Sequence, residues 1–469
     1  MLSRYPLLAL ALLAACSPAE RAPDGPQEPS RVIEYPPYRG VVLVTIDTLR
    51  ADHVSMHGYL RKTTPFLDEL AERSVVFENA QASMPFTGPS HSSMLTGLHP
   101  FQHKVMVNGQ TLSPEIPNVA KAFRDAGYRT SAFVSTGFLR SVTKSFDEVS
   151  LGKRSGRETV EQAVQWAQEL EPGTPFFMWI HLFNVHEWEI ENPNKDRRPE
   201  LAEGSFPLAP DAWYDYLAKH HGWPMVQATD PFPEFTWDTN RRIISSRETL
   251  LETVDRYDAQ IQYTDASVRL LFNKLSEVIG EDPALWLITS DHGEGLGSHR
   301  YKGHSGQIFQ EQLHVPLLVF QQPALTPRRV SGVVSLVDVA PTLTAGLDPQ
   351  PPAWESLSLW PLILGEQSGF SRPAFAQRSP VGTAGDVFAL IHEGHKYLYR
   401  AKHQDAYYDL TQDPQELNST PDAPGAEPTR AMLHAQLKAL DWSVDGQDTD
   451  ISDLPEDILQ ELKALGYVE

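Results

Sequence analysis

Val41-Val42-Leu43-Val44-Thr45-Ile46 is an unbroken apolar, β-branched run, and Asp47 follows it directly. A strand with one wet face alternates apolar and polar residues; a run like this one fits a strand buried on both faces, as in a parallel sheet. In open α/β sheets, ligands bind beyond the carboxyl ends of the strands, which is where Asp47 falls. The pattern recurs. Residues 176–183 read as an aromatic-rich strand with His186 just beyond it, and 284–289 as a buried strand leading into Ser290-Asp291-His292. Residues 128–134 and 315–320 read as further strands. Helical periodicity lies between them, over 65–73, 117–126, 157–170 and 247–279, the last with Tyr257, Ile261, Thr264, Val268 and Leu271 on one face. Alternating strands and helices predict an α/β domain with a mainly parallel central sheet flanked by helices. Asp47, His186, Asp291 and His292 would then converge on one rim.

A second stretch bears on the same rim. Thr87-Gly88-Pro89 precedes a helical run over 90–95 that Gly97 would end. A hydroxyl at a helix N-terminus meets free N–H groups and the positive end of the helix dipole, a setting that suits phosphate or sulfate.

The chain has 469 residues and a formal net charge of −22, which argues against nucleic acid as a partner. Arg4, an apolar run over 7–15 and Leu13-Ala14-Ala15-Cys16 read as a bacterial lipoprotein signal peptide, residues 1–16. Cys16, the single cysteine, would carry the lipid, placing the protein in the periplasm, anchored to the membrane, by expectation the outer one. It also leaves no thiol for catalysis. Residues 17–39 read as a tether, 40–346 as the catalytic domain and 347–469 as a C-terminal α+β subdomain. Residues 187–237, rich in Pro, Trp and charge and without a clean period, read as an insertion or lid. Its Trp188, Trp213, Tyr214, Trp223 and Trp237 offer stacking surfaces for a sugar or aromatic ring.

Asp47, Asp291 and His292 can ligate a divalent ion, with the Thr87 hydroxyl as a fourth ligand. Coordination lowers a hydroxyl's pKa and so turns a weak nucleophile into a useful one. The imidazole favours zinc or manganese over calcium, which stays open.

These residues resemble the sulfatase family of the alkaline phosphatase superfamily. Val44-Thr45-Ile46-Asp47-Thr48-Leu49-Arg50 resembles its opening metal strand. Thr87-Gly88-Pro89-Ser90-His91, then Leu95-Thr96-Gly97, stands where sulfatases carry Cys-x-Pro-x-Arg and Leu-Thr-Gly. Ser290-Asp291-His292-Gly293-Glu294 resembles the second metal motif, and His304 with Val315-Pro316 the segment after it. The resemblance implies an alkaline-phosphatase-like fold, a small anionic ester substrate carried on a sugar or lipid, and His186 and His304 as proton donors and acceptors. His103 and Asn108, just past the nucleophile helix, with His91 and His181, are the expected contacts to the substrate anion.

Four departures matter. Thr87 stands where sulfatases convert Cys or Ser to formylglycine, and His91 stands for the motif Arg. Thr48 and His292 likewise replace the usual second Asp and the Asn. The set Asp, Thr, Asp, His is more like phosphoethanolamine transferases and nucleotide phosphodiesterases, whose nucleophile is Thr. The expected function is a metal-dependent hydrolase of sulfate or phosphate esters with one divalent ion and a covalent Thr87 intermediate. A phosphoryl-group transferase and a non-catalytic binding lipoprotein are the alternatives.

Overall fold

The computed structural model describes residues 37–189, 210–223, 246–347, 356–367, 372–378 and 386–439, with a few isolated positions besides. The leader with Cys16, the tether as far as residue 36, Trp237 and much of the 187–237 insertion lie outside the described residues. Residues 36–469 cluster as one compact unit. No helix among the described residues is long and apolar enough to cross a membrane.

The strands are β1 (Gly40–Ile46), β2 (Val75–Gln81), β3 (Arg129–Val134), β4 (Glu148–Leu151), β5 (Phe176–Leu182), the short pair β6 (Phe235–Thr236) and β7 (Ile243–Ile244), β8 (Ala284–Ser290), β9 (His314–Gln322) and β10 (Arg328–Ser335). Eight of them form one sheet in the order β10-β2-β9-β8-β1-β5-β3-β4. β9 runs antiparallel to β8 and β2, and the other neighbours are parallel. Every residue of β1, β5 and β8 is buried, as their apolar runs require. In-register pairing of Ile46 with Leu182 and Ser290 ends these three strands together. Asp47 and Asp291 therefore emerge side by side.

The helices α1 (Pro65–Ala71), α2 (Thr87–Thr96), α3 (Pro100–His103), α4 (Val119–Asp125), α5 (Gly156–Gln168), α6 (Pro210–His221) and α7 (Arg247–Ile279) accompany the sheet. α7 buries Tyr257, Ile261, Val268, Leu271 and Leu275 in the central core. Asp265 on α7 accepts from the N–H groups of Phe66 (2.8 Å) and Leu67 (3.0 Å), satisfying the start of α1.

The insertion departs from its expected irregularity. α6 holds Trp213, Tyr214, Leu217 and Ala218 at helical spacing, and they pack with Trp223, Tyr59, Leu250 and Val254 into a buried cluster. Trp188 joins the central core. These four aromatic rings are core, not stacking surfaces for a substrate.

The C-terminal part is a four-stranded antiparallel sheet of β11 (Ala374–Gln377), β12 (Val387–His392), β13 (His395–Arg400) and β14 (Ala406–Asp409), covered by a helix over Ala426–Ala439. Lys396 on β13 reaches back, donating to Ile308 O at 2.7 Å and pairing with Glu416, both side chains buried.

His299 adds a pH-dependent bond nearby. Its Nδ1 lies 2.9 Å from Glu311 Oε1, its Nε2 3.1 Å from Glu416 O, and its ring stacks on Phe309. Burial opposes its charge, but Glu311 and Glu416 together outweigh burial and raise its pKa to about 9. A histidine held above its unfolded value adds stability that is fully present below pH ~6.5 and is lost as pH rises through ~9. Urea titrations of wild type and Glu311→Gln should therefore converge across that window, the wild-type advantage shrinking by up to about 3 kcal/mol. A difference independent of pH from 6 to 9.5 would rule the coupling out.

Candidate active site

Phe86 is extended, at φ −154°, and Thr87 is the first helical residue of α2. Asn108 Oδ1 accepts from Gly88 N at 2.6 Å, and a side chain at 88 would put its Cβ 3.1 Å from that oxygen. Glycine is what lets Asn108 close on the helix start. Every residue of α2 is buried, so its hydroxyls bond back along the helix, Ser92 to Gly88 O and Thr96 to Ser92 O. Ser90 donates to Asp291 O at 2.7 Å and ties α2 to the end of β8.

The helix N-terminus has fewer free donors than expected. Pro89 has no N–H, Gly88 donates to Asn108, and Ser90 donates to Phe86 O. An anion there would meet the helix dipole and the N–H of Thr87, not a ring of amides.

Asp47, Asp291 and His292 offer ligating atoms within 4.8 Å of one another, all buried. Asp291 Oδ1 accepts from Thr48 N (3.1 Å) and His292 N (2.9 Å). His292 Nδ1 lies 2.9 Å from Gly293 O; a carbonyl only accepts, so the ring proton sits there and Nε2 carries the lone pair. Asp291 Oδ2 and His292 Nε2 are 3.4 Å apart. Those two atoms, Asp47 Oδ1 and Thr87 Oγ1 are buried without a hydrogen-bond partner. Burial pushes the Asp47 carboxyl up to about 7, opposed by His292 and by the nearby Thr87 hydroxyl. Burial, then the Asp47 charge, also raises Asp291. One oxygen from each of two buried carboxylates, a lone-pair nitrogen and a hydroxyl oxygen are the donor set that a divalent cation satisfies. The residues present fit such an ion.

Arg50 and Tyr257 latch the two loops that carry this set. Arg50 Nη1 donates to Glu294 O and Gly295 O at 3.1 and 3.2 Å. Tyr257 accepts from Arg50 N and donates to Thr48 O at 2.6 Å. Neither residue had an assigned role from sequence; Arg50 stood in the quoted motif, but its partners are 244 and 245 positions away.

The expected histidines divide into two groups. His181 Nε2 lies 3.0 Å from Asp47 Oδ2 and borders the cluster. The His304 ring lies 4.5 Å from that of His292 and 5.0 Å from that of His186, which stacks on Phe183. His304 Nδ1 is 3.2 Å from Glu294 Oε2. Burial, opposed by Gly295 N–H and His292, raises Glu294 to about 7. Glu294 closes the Asp-His-Gly-Glu run, a signal that was present but given no role. His91 and Asn108 stand beside Thr87: His91 Nδ1 also lies 3.5 Å from Asp291 Oδ2, and Asn108 Nδ2 is buried without a hydrogen-bond partner. His91 Nδ1 donates to Thr87 O (2.8 Å) while its Nε2 meets the Thr45 hydroxyl (3.0 Å), and burial lowers its pKa to about 3. His103 is held by Ser93 Oγ and by Val105 N. Asn108 caps α2, as above.

Strand ends, buried hydroxyl and ligand cluster lie within the stretch, residues 39–348, over which the chain matches the Sulfatase family. It belongs to that family, has its alkaline-phosphatase-like fold, and is an ester hydrolase. Among its relatives is choline-sulfatase of Rhizobium meliloti, 24% identical over 437 residues, covering 82% of this chain and 83% of that one. The Delta 4,5-hexuronate-2-O-sulfatase of Bacteroides thetaiotaomicron is 24% identical over 470 residues, covering 91% and 90%. The crystal structure of the phosphonate monoester hydrolase of Agrobacterium radiobacter shares the fold, with a TM-score of 0.65, 21% identity and coverage of 86% and 95%.

Proposed function

We propose that this chain hydrolyses sulfate or phosphate esters with Thr87 as nucleophile. The observation that carries the reading is the Thr87 hydroxyl, buried and partnerless at the start of α2, beside three equally unsatisfied ligand atoms. An ion held by Asp47, Asp291, His292 and Thr87 would supply positive charge for the ester oxygens and lower the pKa of the hydroxyl. Thr87 gives up its hydroxyl proton to solvent, and Oγ1 attacks sulfur or phosphorus in line, its bond forming as the bond to the leaving alcohol breaks. His304, oriented through Nδ1 by Glu294, enters as the imidazolium, a form that burial and His292 disfavour, and gives the leaving oxygen its Nε2 proton. The same ring then takes a proton from the water that attacks sulfur or phosphorus and releases Thr87. His181 holds Asp47, and His91 fixes the backbone of Thr87 from behind.

The names of the relatives support a sulfate ester; Thr87 supports a phosphate ester. A formylglycine hydrate expels sulfate by breaking its own C–O bond, whereas a threonine ester needs attack at sulfur or phosphorus. The leader ending at Cys16 supports a lipid-anchored periplasmic site for this activity. The test is a panel of aryl sulfate, phosphate monoester and phosphodiester, each with Zn, Mn or Ca. At least one should turn over, and quenching should leave one SO3 or PO3 group on the peptide that contains Thr87. If no ester turns over with any of the three ions, the chain is a binding lipoprotein.

A further inference from the structure

Away from Thr87, two places far apart in sequence close on each other. Asp52 and His53 lie in the short turn Ala51–His53 after β1, and His220 and His221 end α6 in the insertion. Ligating atoms of Asp52, His53 and His220 come within 4.8 Å of one another. His53 Nε2 and His221 Nε2 are 3.2 Å apart, with His221 outside that set of three; His220 Nε2, 3.3 Å from Asp52 Oδ2, also lies 3.0 Å from Asp52 O, a contact that metal binding would replace. Neighbouring ligands of a tetrahedral ion with bonds of about 2.0–2.1 Å stand about 3.3–3.4 Å apart.

The outer contacts fit as well. His53 Nδ1 lies 2.7 Å from Asp258 Oδ1, and Asp258 also accepts from Tyr59 (2.8 Å) and Arg61 (2.6 Å). Asp258 so held is an acceptor, which puts the ring proton of His53 on Nδ1 and leaves a lone pair on Nε2. His221 Nδ1 is 3.2 Å from Ser298 Oγ, and its ring stacks on Trp223. His220 stacks on Tyr216. Metal-bound histidines are held in this way, the far nitrogen on a carboxylate or hydroxyl and the ring packed. A cavity of about 150 Å³, lined in part by Asp52, His220, His221 and Glu311, gives an access path.

We propose that Asp52, His53, His220 and His221 bind a second metal ion, of the zinc class, separate from the Asp47 centre. Three imidazoles and one carboxylate are a zinc donor set. The ion fastens α6 to the loop after β1. It acts on the first centre through Arg50, which grips Asp52 at 2.6 and 2.8 Å and holds Glu294 O with its remaining nitrogen. The competing arrangement is a chain of protons, with His221 Nε2–H donating to His53 Nε2 and the Ser298 hydroxyl donating to His221 Nδ1. The two exclude each other.

The full chain, loaded with zinc and desalted, should hold two ions, and Asp291→Asn, blocked at the first centre, should keep one. Adding His53→Gln and His221→Gln to that variant should remove it. Cobalt(II) in Asp291→Asn should show the strong visible bands of a tetrahedral site. If a variant fails to fold, anomalous diffraction at the zinc edge of zinc-soaked wild-type crystals decides. A peak between His53 and His221 supports the site. Zinc that Asp291→Asn does not retain, or no peak there, overturns it in favour of the proton chain.

Discussion

Thr87→Ala should lower turnover by roughly 10⁴-fold or more, the scale of losing a nucleophile, while leaving the protein at least as stable as wild type. Losing a buried polar group usually costs stability because a hydrogen bond goes with it. Here Thr87 Oγ1 makes no well-formed hydrogen bond and only neighbours the Asp47 carboxylate, so alanine removes a desolvated oxygen at the cost of that weak contact. Desolvation of such a group costs about 1–3 kcal/mol, and alanine is the better helix former. Loss of the methyl group works the other way and is the smaller term. Thermal unfolding with chelator present should therefore show an unchanged or higher midpoint beside abolished turnover. Thr87→Ser should keep part of the activity, because it keeps the hydroxyl. A Thr87→Ala protein that still turns over ester at a tenth of the wild-type rate would remove Thr87 from the chemistry.

The residues that sequence made visible are those the sheet itself delivers. β1, β5 and β8 are apolar throughout, and a residue just after such a strand has little choice of where to stand. Asp47, Asp291 and His292 could be placed on one rim for that reason, and the Gly-Pro helix start brought Thr87 to it. Strands without that signature escaped notice. β4 and β10 lie at the two edges of the sheet with partly exposed residues, and β2 turns polar at Glu78-Asn79. An apolar run also says nothing of direction, so β9 against β8 could not be foreseen. Trp213 and Tyr214 misled because aromatic composition does not distinguish a stacking surface from a core. The spacing of Trp213 to Leu217 and of Tyr214 to Ala218 was the helical signal, read over too wide a window to register. Contacts such as His53 to His221 have no local signature at all, since 168 residues and an aperiodic insertion separate them.

Asp291→Asn should abolish activity by removing the ion at the Asp47 centre, with the scaffold around it intact. The two oxygens of Asp291 have separate duties. Oδ1 takes the backbone N–H groups of Thr48 and His292 and so shapes the loop, while Oδ2 faces His292 Nε2 with no partner. Asparagine can keep the first duty with its carbonyl oxygen. At the second position it presents an NH2 group, which donates and cannot ligate a cation. Burial and the Asp47 charge both raise the Asp291 pKa, so an amide at 291 removes that cost in the ion-free protein. Adding the activating ion should stabilise wild type by about 2.7 kcal/mol at a hundredfold excess over its dissociation constant. In the His53→Gln/His221→Gln background, which lacks the second site, adding Asp291→Asn should abolish that response, and the ion-free protein should be as stable as its ion-free parent or more so. His53→Gln with His221→Gln would keep the activating response, which separates this centre from the second one. A variant that loses activity yet binds and is stabilised by the ion as wild type does would place Asp291 outside the ligand set, and with it the reason for its burial beside Asp47.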